Sequence, residues 1–262
     1  MEIIIVDNSE QIGRVAAGRL SHWIKGIEAP VLGVATGSSP LGIYTDLVRR
    51  VGAGELDLSK ASAFALDEYV GLPADHPQSY ADTIRRTVTE PLGMDPQRVH
   101  VPDGMADDID AFCQSYEDAI IAAGGVDVQI LGIGPNGHIG FNEPGSSLAS
   151  RTRIKTLSKA TRQANARYFS DESQVPTHCL TQGLGTILDA RHLLLVADGE
   201  RKADAIAAMA EGPLGTHCPA TAVQLHRHVV VVVDEAAASK LRHADEYREV
   251  QRLKPDWQRI PG

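Results

Sequence analysis

The sequence is poor in cysteine and in long apolar runs, and each shortage excludes a class of protein. Its three cysteines, Cys113, Cys179 and Cys218, lie far apart and form no CxxC pair. An odd, scattered set argues against a disulfide framework, so we expect ordinary thiols in a reducing cytoplasm. Apolar runs such as residues 229–233 are far shorter than the ~20 residues that span a bilayer. The N-terminus has no basic region followed by an apolar core, so we expect no secretory signal and no membrane partner.

Positive charge is also scarce. The 262 residues carry 25 Lys and Arg against 34 Asp and Glu, a net charge of -9. A nucleic-acid backbone would be repelled by such a surface, so we expect no nucleic-acid partner. A small anionic substrate is not excluded, because it responds to the local field of a cleft.

Short apolar runs alternate with longer amphipathic segments along the chain. The predicted strands are 2–6, 31–35, 61–66, 126–133, 192–197 and 228–234. The predicted helices are 9–27 (with Ser9 as its cap), 40–51, 79–90, 108–123, 200–210 and 235–249. Strands separated by helices pair in parallel, and continuous apolar strands are buried on both faces. We therefore predict an α/β fold, a three-layer α/β/α domain with a mostly parallel, Rossmann-like sheet.

The pattern predicts one domain over residues 1–262. Residues 145–180 interrupt the alternation and are rich in Ser, Arg, Lys and Thr. We interpret them as an insertion or a mobile lid over the site. The tail, 253–262, is polar with two prolines and is expected to be a loose end.

Three polar segments follow predicted strands, at the edge where open α/β sheets bind ligands. The first is Thr36-Gly37-Ser38-Ser39-Pro40. Glycine permits a tight turn, and hydroxyls with free N–H groups at a helix start make an anion pocket. The same residues also suit an ordinary capped helix start, so phosphate binding stays one of two interpretations.

The second segment is Asp67-Glu68-Tyr69, and the third is the loop 132–144, which holds His138 and Glu143. A carboxylate at a strand end is a candidate acid or base, although solvated loop residues look the same. His138 could shuttle protons, and Glu143 could orient it. A metal held by His138, Asp67 and Glu143 is the rival hypothesis, but no familiar zinc spacing is present.

Two cations could pair with a phosphate. Arg167 lies in ATRQANARYF, and Lys202 follows a predicted strand. An arginine would bind the phosphate bidentately, and a lysine would bind it as a point charge. Viewed singly, each is equally an ordinary surface cation.

Three strings carry a resemblance to a known family: VATGSSPLGIY, FALDEYVGLPADHPQSY and LGIGPNGHIGFNEPGSSLASRTRIKTLS. They resemble glucosamine-6-phosphate deaminases, over residues 31 to about 233. The resemblance implies conversion of D-glucosamine 6-phosphate and water to D-fructose 6-phosphate and ammonia, in amino-sugar catabolism and without a cofactor or metal. It also implies a sugar-phosphate substrate.

The resemblance implies a role for each matching residue. Asp67 would move a proton between C2 and C1 through an enolamine. His138 would assist opening of the pyranose ring, with Glu143 as its acidic partner and Asn136 at the remaining catalytic position. Some family members have Asp in place of Asn136; an amide could orient His138 but not supply charge. The implied phosphate-binding residues are Thr36, Gly37, Ser38, Ser39, Arg167 and Lys202.

Some members of this family are hexamers activated by N-acetylglucosamine 6-phosphate. We therefore expect a homo-oligomer, and an activator site is implied for this chain. Its candidate residues are Ser146, Ser147, Arg153, Lys155 and Tyr247.

Two other functions compete with deamination. A 6-phosphogluconolactonase also uses a sugar phosphate and a cleft histidine, but would not need Asp67 for proton transfer. A sugar-phosphate sensor would bind without turnover. Sensors of this kind usually carry a DNA-binding module, for which this acidic chain has no room.

Overall fold

The computed structural model of the chain describes residues 1–255 and 258, which form two β-sheets and their flanking helices. The strands are β1 (Glu2–Val6), β2 (Val31–Val34), β3 (Ser62–Ala65), β4 (Asp67–Tyr69), β5 (Val99–His100), β6 (Val128–Leu131), β7 (Arg153–Thr156), β8 (His178–Thr181), β9 (His192–Ala197) and β10 (Val229–Asp234). The helices are α1 (Ser9–Trp23), α2 (Ser38–Gly52), α3 (Tyr80–Ile84), α4 (Ile109–Ala122), α5 (Lys159–Asn165), α6 (Leu184–Leu188), α7 (Ala203–Glu211), α8 (Glu235–Ala238) and α9 (Ala244–Arg252). Most of the predicted loose tail lies outside the described residues.

The large sheet has seven strands in the order β1-β10-β9-β6-β2-β3-β5. Every neighbouring pair is parallel. Its central strands β6, β9 and β10 are almost wholly buried, because helices cover both faces. The predicted three-layer α/β/α fold with a Rossmann-like sheet is therefore confirmed, and the carboxyl ends of its strands share one edge.

A second, antiparallel sheet of β4, β8 and β7 was not predicted. Its strands have three or four residues each, and β7 alternates half-buried with exposed positions. Such short strands give no continuous apolar run in the sequence. A small apolar cluster of Tyr69, Phe141, Leu157 and Cys179 joins this sheet to the loop after β6. The small sheet thereby places β4, which begins at Asp67, beside that loop.

Two helix predictions were wrong in detail. Helix α1 is capped by Asn8 rather than Ser9, since the Asn8 side chain accepts the Gln11 N–H at 3.0 Å. The predicted helix 235–249 is divided into α8 and α9. Between them the backbone N–H groups of Arg242 and His243 donate to the Glu211 carboxylate at 2.9 and 3.0 Å, so they cannot continue a helix.

Within the described part of the chain, no helix combines the length and the apolar character needed to cross a bilayer. Cys113, Cys179 and Cys218 are all buried and free, as expected of ordinary thiols.

Candidate active site

The ends of β2, β3 and β6 meet at one edge of the large sheet, as predicted. Lys202, which follows β9, donates from Nζ to the Ile133 carbonyl in the loop after β6 at 2.6 Å. The Tyr80 hydroxyl is hydrogen-bonded to the Thr36 side chain after β2. A Cβ placed on Gly140 would lie 3.6 Å from Asp67 Oδ2. The three polar segments therefore line a common cleft.

The turn Thr36–Ser39 carries the chain from β2 into α2. Gly37 has a φ of 97°, which a residue with a side chain rarely adopts. Tyr44 fixes the end of β2, because its hydroxyl accepts the Ala35 N–H at 3.0 Å and donates to the Ala35 carbonyl at 2.8 Å. The first N–H groups of α2 have no acceptor within the helix. Unpaired N–H groups at a helix start favour an anion, so this turn is a candidate anion site at the cleft.

The two predicted cations lie at this turn to different degrees. Lys202 is half-buried. Burial and the charge of Arg167 lower its pKa, and the charge of Lys202 in turn lowers the pKa of His138. Arg167 is exposed on a short 3-10 turn after α5, with its guanidinium 4.7 Å from the ring centre of Tyr168. Lys202 is thus fixed in the cleft, whereas Arg167 lies on the 145–180 segment, contacts Tyr168, and acts on Lys202 through its charge.

Asp67 is the most strongly perturbed acid at the cleft. Its side chain is buried, with the residue only 6% exposed. Burial, together with the charge of Glu68, raises the pKa of Asp67 to about 8. No hydrogen-bond donor to its carboxylate contributes to that shift. A carboxyl group in this state holds its proton near neutrality and can exchange it with a bound molecule.

The neighbouring Glu68 has a structural role instead. Its carboxylate accepts the backbone N–H groups of Tyr69, Tyr80 and Ala81 at 2.8 to 2.9 Å. These bonds satisfy the first turn of α3 and hold it against β4. Of the two adjacent acids, Asp67 alone has no hydrogen-bond donor among the residues that the structure describes.

The loop after β6 brings His138, Glu143 and Asn136 together. Asn136 Nδ2 donates to Glu143 Oε2 at 2.7 Å, and Asn136 Oδ1 accepts the His138 backbone N–H at 3.2 Å. The imidazole Nδ1 lies 3.8 Å from Glu143 Oε2, which is too long for a hydrogen bond. Asn136 therefore contacts the carboxylate and the loop backbone rather than the imidazole.

Close packing fixes the imidazole. A Cβ at Gly134 would lie 2.2 Å from the His138 ring, so only glycine fits beneath it. Burial lowers the pKa of His138, and the charge of Glu143 opposes that effect without reversing it. The imidazole is thus neutral at pH 7 and can accept a proton.

Sequence reasoning missed the residues that hold Glu143. The hydroxyls of Thr161 and Ser158, at the start of α5, both donate to Glu143 Oε1, the latter at 3.2 Å. Burial raises the pKa of Glu143, but these donors, His138 and Asn136 lower it overall. A capping serine three residues before a threonine was the available signal, and it indicated only a helix start.

Tyr69 and Tyr80 were also missed as a connection across the cleft. Tyr80 donates to the Tyr69 hydroxyl at 3.3 Å, and Asn165 Nδ2 donates to the same hydroxyl at 2.8 Å. With the Tyr80–Thr36 bond, these hydrogen bonds link the end of α5 to the turn Thr36–Ser39.

The five activator candidates are not all brought together. Ser146 is buried, and its hydroxyl donates to the Glu143 carbonyl at 2.7 Å. Ser147 is exposed nearby, and Arg153 and Lys155 lie on β7. Tyr247 lies apart on α9, which packs on β1, and donates to Glu211 at 3.3 Å. In the described residues no contact joins Tyr247 to the other four.

The rival metal hypothesis has no geometric basis. Over residues 1–255 and 258, no group of three or more His, Cys, Asp or Glu side chains is arranged to hold a metal ion.

Comparison with known proteins fits this cleft. The family model for glucosamine-6-phosphate isomerases and 6-phosphogluconolactonase matches residues 8–232. A glucosamine-6-phosphate deaminase of Cutibacterium acnes is 58% identical over 95% of each chain. Another from an Arthrobacter species is 57% identical over 98% of this chain and 99% of that one.

Solved structures agree on the fold. A structure described as a monomeric glucosamine-6-phosphate deaminase is 41% identical, with a TM-score of 0.89, and covers 92% of this chain and 100% of that one. A 6-phosphogluconolactonase of Trypanosoma brucei is 17% identical, with a TM-score of 0.75 over 92% of this chain and 98% of that one, and therefore shares the fold alone. On the family model and the high-identity relatives together, the chain belongs to the glucosamine-6-phosphate deaminase family.

Proposed function

We propose that this chain isomerises and deaminates D-glucosamine 6-phosphate, with water, to D-fructose 6-phosphate and ammonia. The observation that carries the proposal is Asp67. It is buried without a hydrogen-bond donor and faces a cleft with an anion-binding turn at one side and a neutral imidazole at the other. The high-identity relatives support the same chemistry. Amino-sugar catabolism is the corresponding pathway.

The phosphate group of the substrate binds the turn Thr36–Ser39, with Lys202 and Arg167 as its cations. Backbone N–H groups and the positive end of α2 supply the remaining attraction. Binding energy from this remote group holds the reacting carbons C1 and C2 against Asp67.

Ring opening uses His138. The neutral imidazole accepts the proton of the anomeric hydroxyl and returns a proton to the ring oxygen as the C–O bond breaks. Glu143, ionised and held by Asn136 and the two hydroxyls of α5, stabilises the imidazolium that forms in between. Asn136 supplies no charge; its contribution is the orientation of Glu143.

Proton transfer then uses Asp67. Its carboxylate removes the proton from C2 of the open-chain aldehyde while a proton of the substrate ammonium passes to O1, giving an enolamine, and the carboxylic acid then delivers its proton to C1. The resulting iminium at C2 takes up water and releases ammonia, which leaves the ketone of fructose 6-phosphate. The substrate ammonium favours the ionised form of Asp67 on binding, which offsets the cost of burying that charge.

We further propose that residues 145–180 act as a lid within a single domain over 1–262. The segment includes β7 and α5, and α5 contacts Glu143 at its start and the Tyr69 hydroxyl at its end. Arg167 follows directly. Hydrogen exchange of α5 with and without a non-reacting sugar phosphate tests the lid, and identical exchange would contradict it.

Location, assembly and activation belong to the same proposal. Three buried free thiols favour the reducing cytoplasm. A homo-oligomer, with a hexamer as one form, is tested by light scattering of the purified chain. Activation by N-acetylglucosamine 6-phosphate would act through Ser147, Arg153 and Lys155. Ser146 would keep its bond to the Glu143 carbonyl, and Tyr247 would join the site only in an arrangement other than the present one. A substrate-saturation curve unaffected by this compound would contradict the proposal.

The deciding experiment follows ammonia and fructose 6-phosphate from glucosamine 6-phosphate in chelator-treated protein, beside hydrolysis of 6-phosphogluconolactone. Equimolar ammonia and ketose, without lactone hydrolysis, support the proposal. Lactone hydrolysis alone would favour the lactonase. Binding of glucosamine 6-phosphate without either product would favour the sensor.

A further inference from the structure

The proposed phosphate site, made of the turn Thr36–Ser39 with Lys202 and Arg167, is called the phosphate cradle here. An acidic side chain lies in it, where a cation would be expected. Asp198 follows β9 directly, at the same sheet edge as the turn Thr36–Ser39. Its position is fixed by the next residue, because the Gly199 N–H donates to both Asp234 carboxylate oxygens at 3.0 and 3.1 Å. Asp198 is half-buried and faces the cleft side of α2 through its contact with Ser39.

Asp198 accepts a hydrogen bond from the Ser39 hydroxyl. Ser39 Oγ donates to Asp198 Oδ1 at 2.5 Å, a contact between residues 159 positions apart in sequence. A hydroxyl has one proton to donate. While the hydroxyl donates to Asp198, Ser39 can donate its backbone N–H to a phosphate but no hydroxyl hydrogen bond.

Asp198 also reduces the positive field of the cradle. Burial and the neighbouring Arg201 and Arg167 lower the pKa of Lys202, and the charge of Asp198 opposes this by raising it. The same carboxylate must repel a dianionic phosphate bound to Lys202. The negative charge of Asp198 therefore offsets part of the positive charge that the cleft presents to a phosphate.

We infer that Asp198 limits how tightly the cleft holds a phosphate group, because it occupies the Ser39 hydroxyl and places a negative charge within range of Lys202. The inference rests on the proposed function, in which substrate and product carry the same phosphate. Attraction beyond what is needed to position C1 and C2 is uniform binding, which retains product as well as substrate and does not speed the chemical step. A weaker cradle raises KM and hastens product release.

The test is calorimetric titration with inorganic phosphate and with fructose 6-phosphate, neither of which requires turnover. Asp198→Asn removes the charge at nearly constant volume. We expect both affinities to rise about tenfold at low salt, as for one charge at a partly exposed site, and less at about 0.3 M salt. Kinetically, KM for glucosamine 6-phosphate should fall more than kcat changes.

Two further variants separate charge from packing. Ser39→Ala removes the hydroxyl but keeps the carboxylate, so its affinity should not rise. Asp245→Asn makes the same charge change at a side chain that is 97% exposed on α9, and should leave both affinities unchanged. Thermal unfolding of each variant checks that the fold is retained.

Unchanged or weaker phosphate binding by Asp198→Asn would overturn the inference, as would equal tightening in Asp245→Asn. So would a wild-type protein that binds neither probe, whatever its activity. If the proposed deamination fails while the affinity shift is seen, the inference stands as a property of a phosphate site and the reaction assignment alone falls.

Discussion

Two buried carboxylates, Asp67 in the cleft and Glu117 on α4, have nearly equal exposure and opposite surroundings. They are 6% and 5% exposed. Glu117 accepts hydrogen bonds from the Arg151 guanidinium, from the backbone and hydroxyl of Thr152, and from the Thr186 hydroxyl, at 2.5 to 3.1 Å. Asp67 has no such donors to offset its burial.

The outcome for ionisation is opposite as well. Burial alone would raise the pKa of Glu117, but its donors lower it overall. Burial and the charge of Glu68 raise the pKa of Asp67 to about 8, and no donor among the described residues opposes them. Hydrogen-bond partners, together with the depth of burial, therefore separate a carboxylate that joins α4 to the segment before β7 and to α6 from one whose proton is available for exchange.

The largest expected effect comes from Asp67→Asn. Proton transfer between C2 and C1 needs an ionisable group, so activity should fall by roughly 100-fold or more. Ammonia release under saturating substrate measures it. Undiminished activity would remove Asp67 as the base.

The same variant should be more stable than the wild type. Wild-type Asp67 has an ordinary pKa of 3.8 when unfolded and about 8 when folded. The contribution of Asp67 to the free energy of unfolding is fully present below pH 3.8. It is lost as the pH rises towards 8, by about 1.4 kcal/mol per pH unit at most. Urea unfolding at several pH values measures the difference between the variant and the wild type. A difference that does not widen between those limits would contradict the raised pKa.

Glu117→Gln should produce the reverse pattern, with stability lost and chemistry kept. Removing the charge leaves the Thr152 and Thr186 donors and Arg151 poorly paired, which should cost about 2 kcal/mol of the free energy of unfolding. The activity of each folded molecule should remain near the wild-type value.

Glu28→Gln is the matched control for this change. Glu28 is 81% exposed in its pair with Lys60, and exposed pairs contribute little. Equal loss of stability in the two variants would mean that the donors around Glu117 do not matter.

Much of this contrast was beyond the sequence. Asp67 was predicted as a site residue because it follows an apolar strand. Glu117 falls on the predicted helix 108–123, where a polar position normally faces solvent. Its partners Thr152 and Thr186 lie 35 and 69 residues away, and a single sequence does not indicate such contacts.

Sheet prediction failed for a related reason. Most strands of the large sheet are buried, and their apolar runs indicated them directly. The two-residue, half-buried strand β5 has no such run and was not predicted. The strands β4, β7 and β8 are only three or four residues long and include polar residues such as Asp67 and Lys155. The lid region was therefore recognised as a break in the pattern, without its strands.

A smaller effect is expected from Asn136→Asp. The new carboxylate would face Glu143 across the present 2.7 Å contact, so one of the two acids should hold a proton. Where both acids are ionised, the added negative charge should also raise the pKa of His138. We expect a several-fold change in kcat/KM, with its acid limb displaced to higher pH. Asn136→Ala removes the contact without adding charge, and an identical profile in both variants would contradict this electrostatic account.

The most direct test of the unpartnered Asp67 is the pH dependence of kcat/KM, which reports ionisations of the free enzyme and the free substrate. The substrate amine and phosphate are titrated separately by NMR, the phosphate having a pKa near 6. We predict that, after this correction, kcat/KM falls as the pH is lowered through about 8, the pKa to which burial raises Asp67. A corrected profile with no enzyme ionisation above about pH 5 would mean that Asp67 titrates as an ordinary carboxylate, and the central claim would fail.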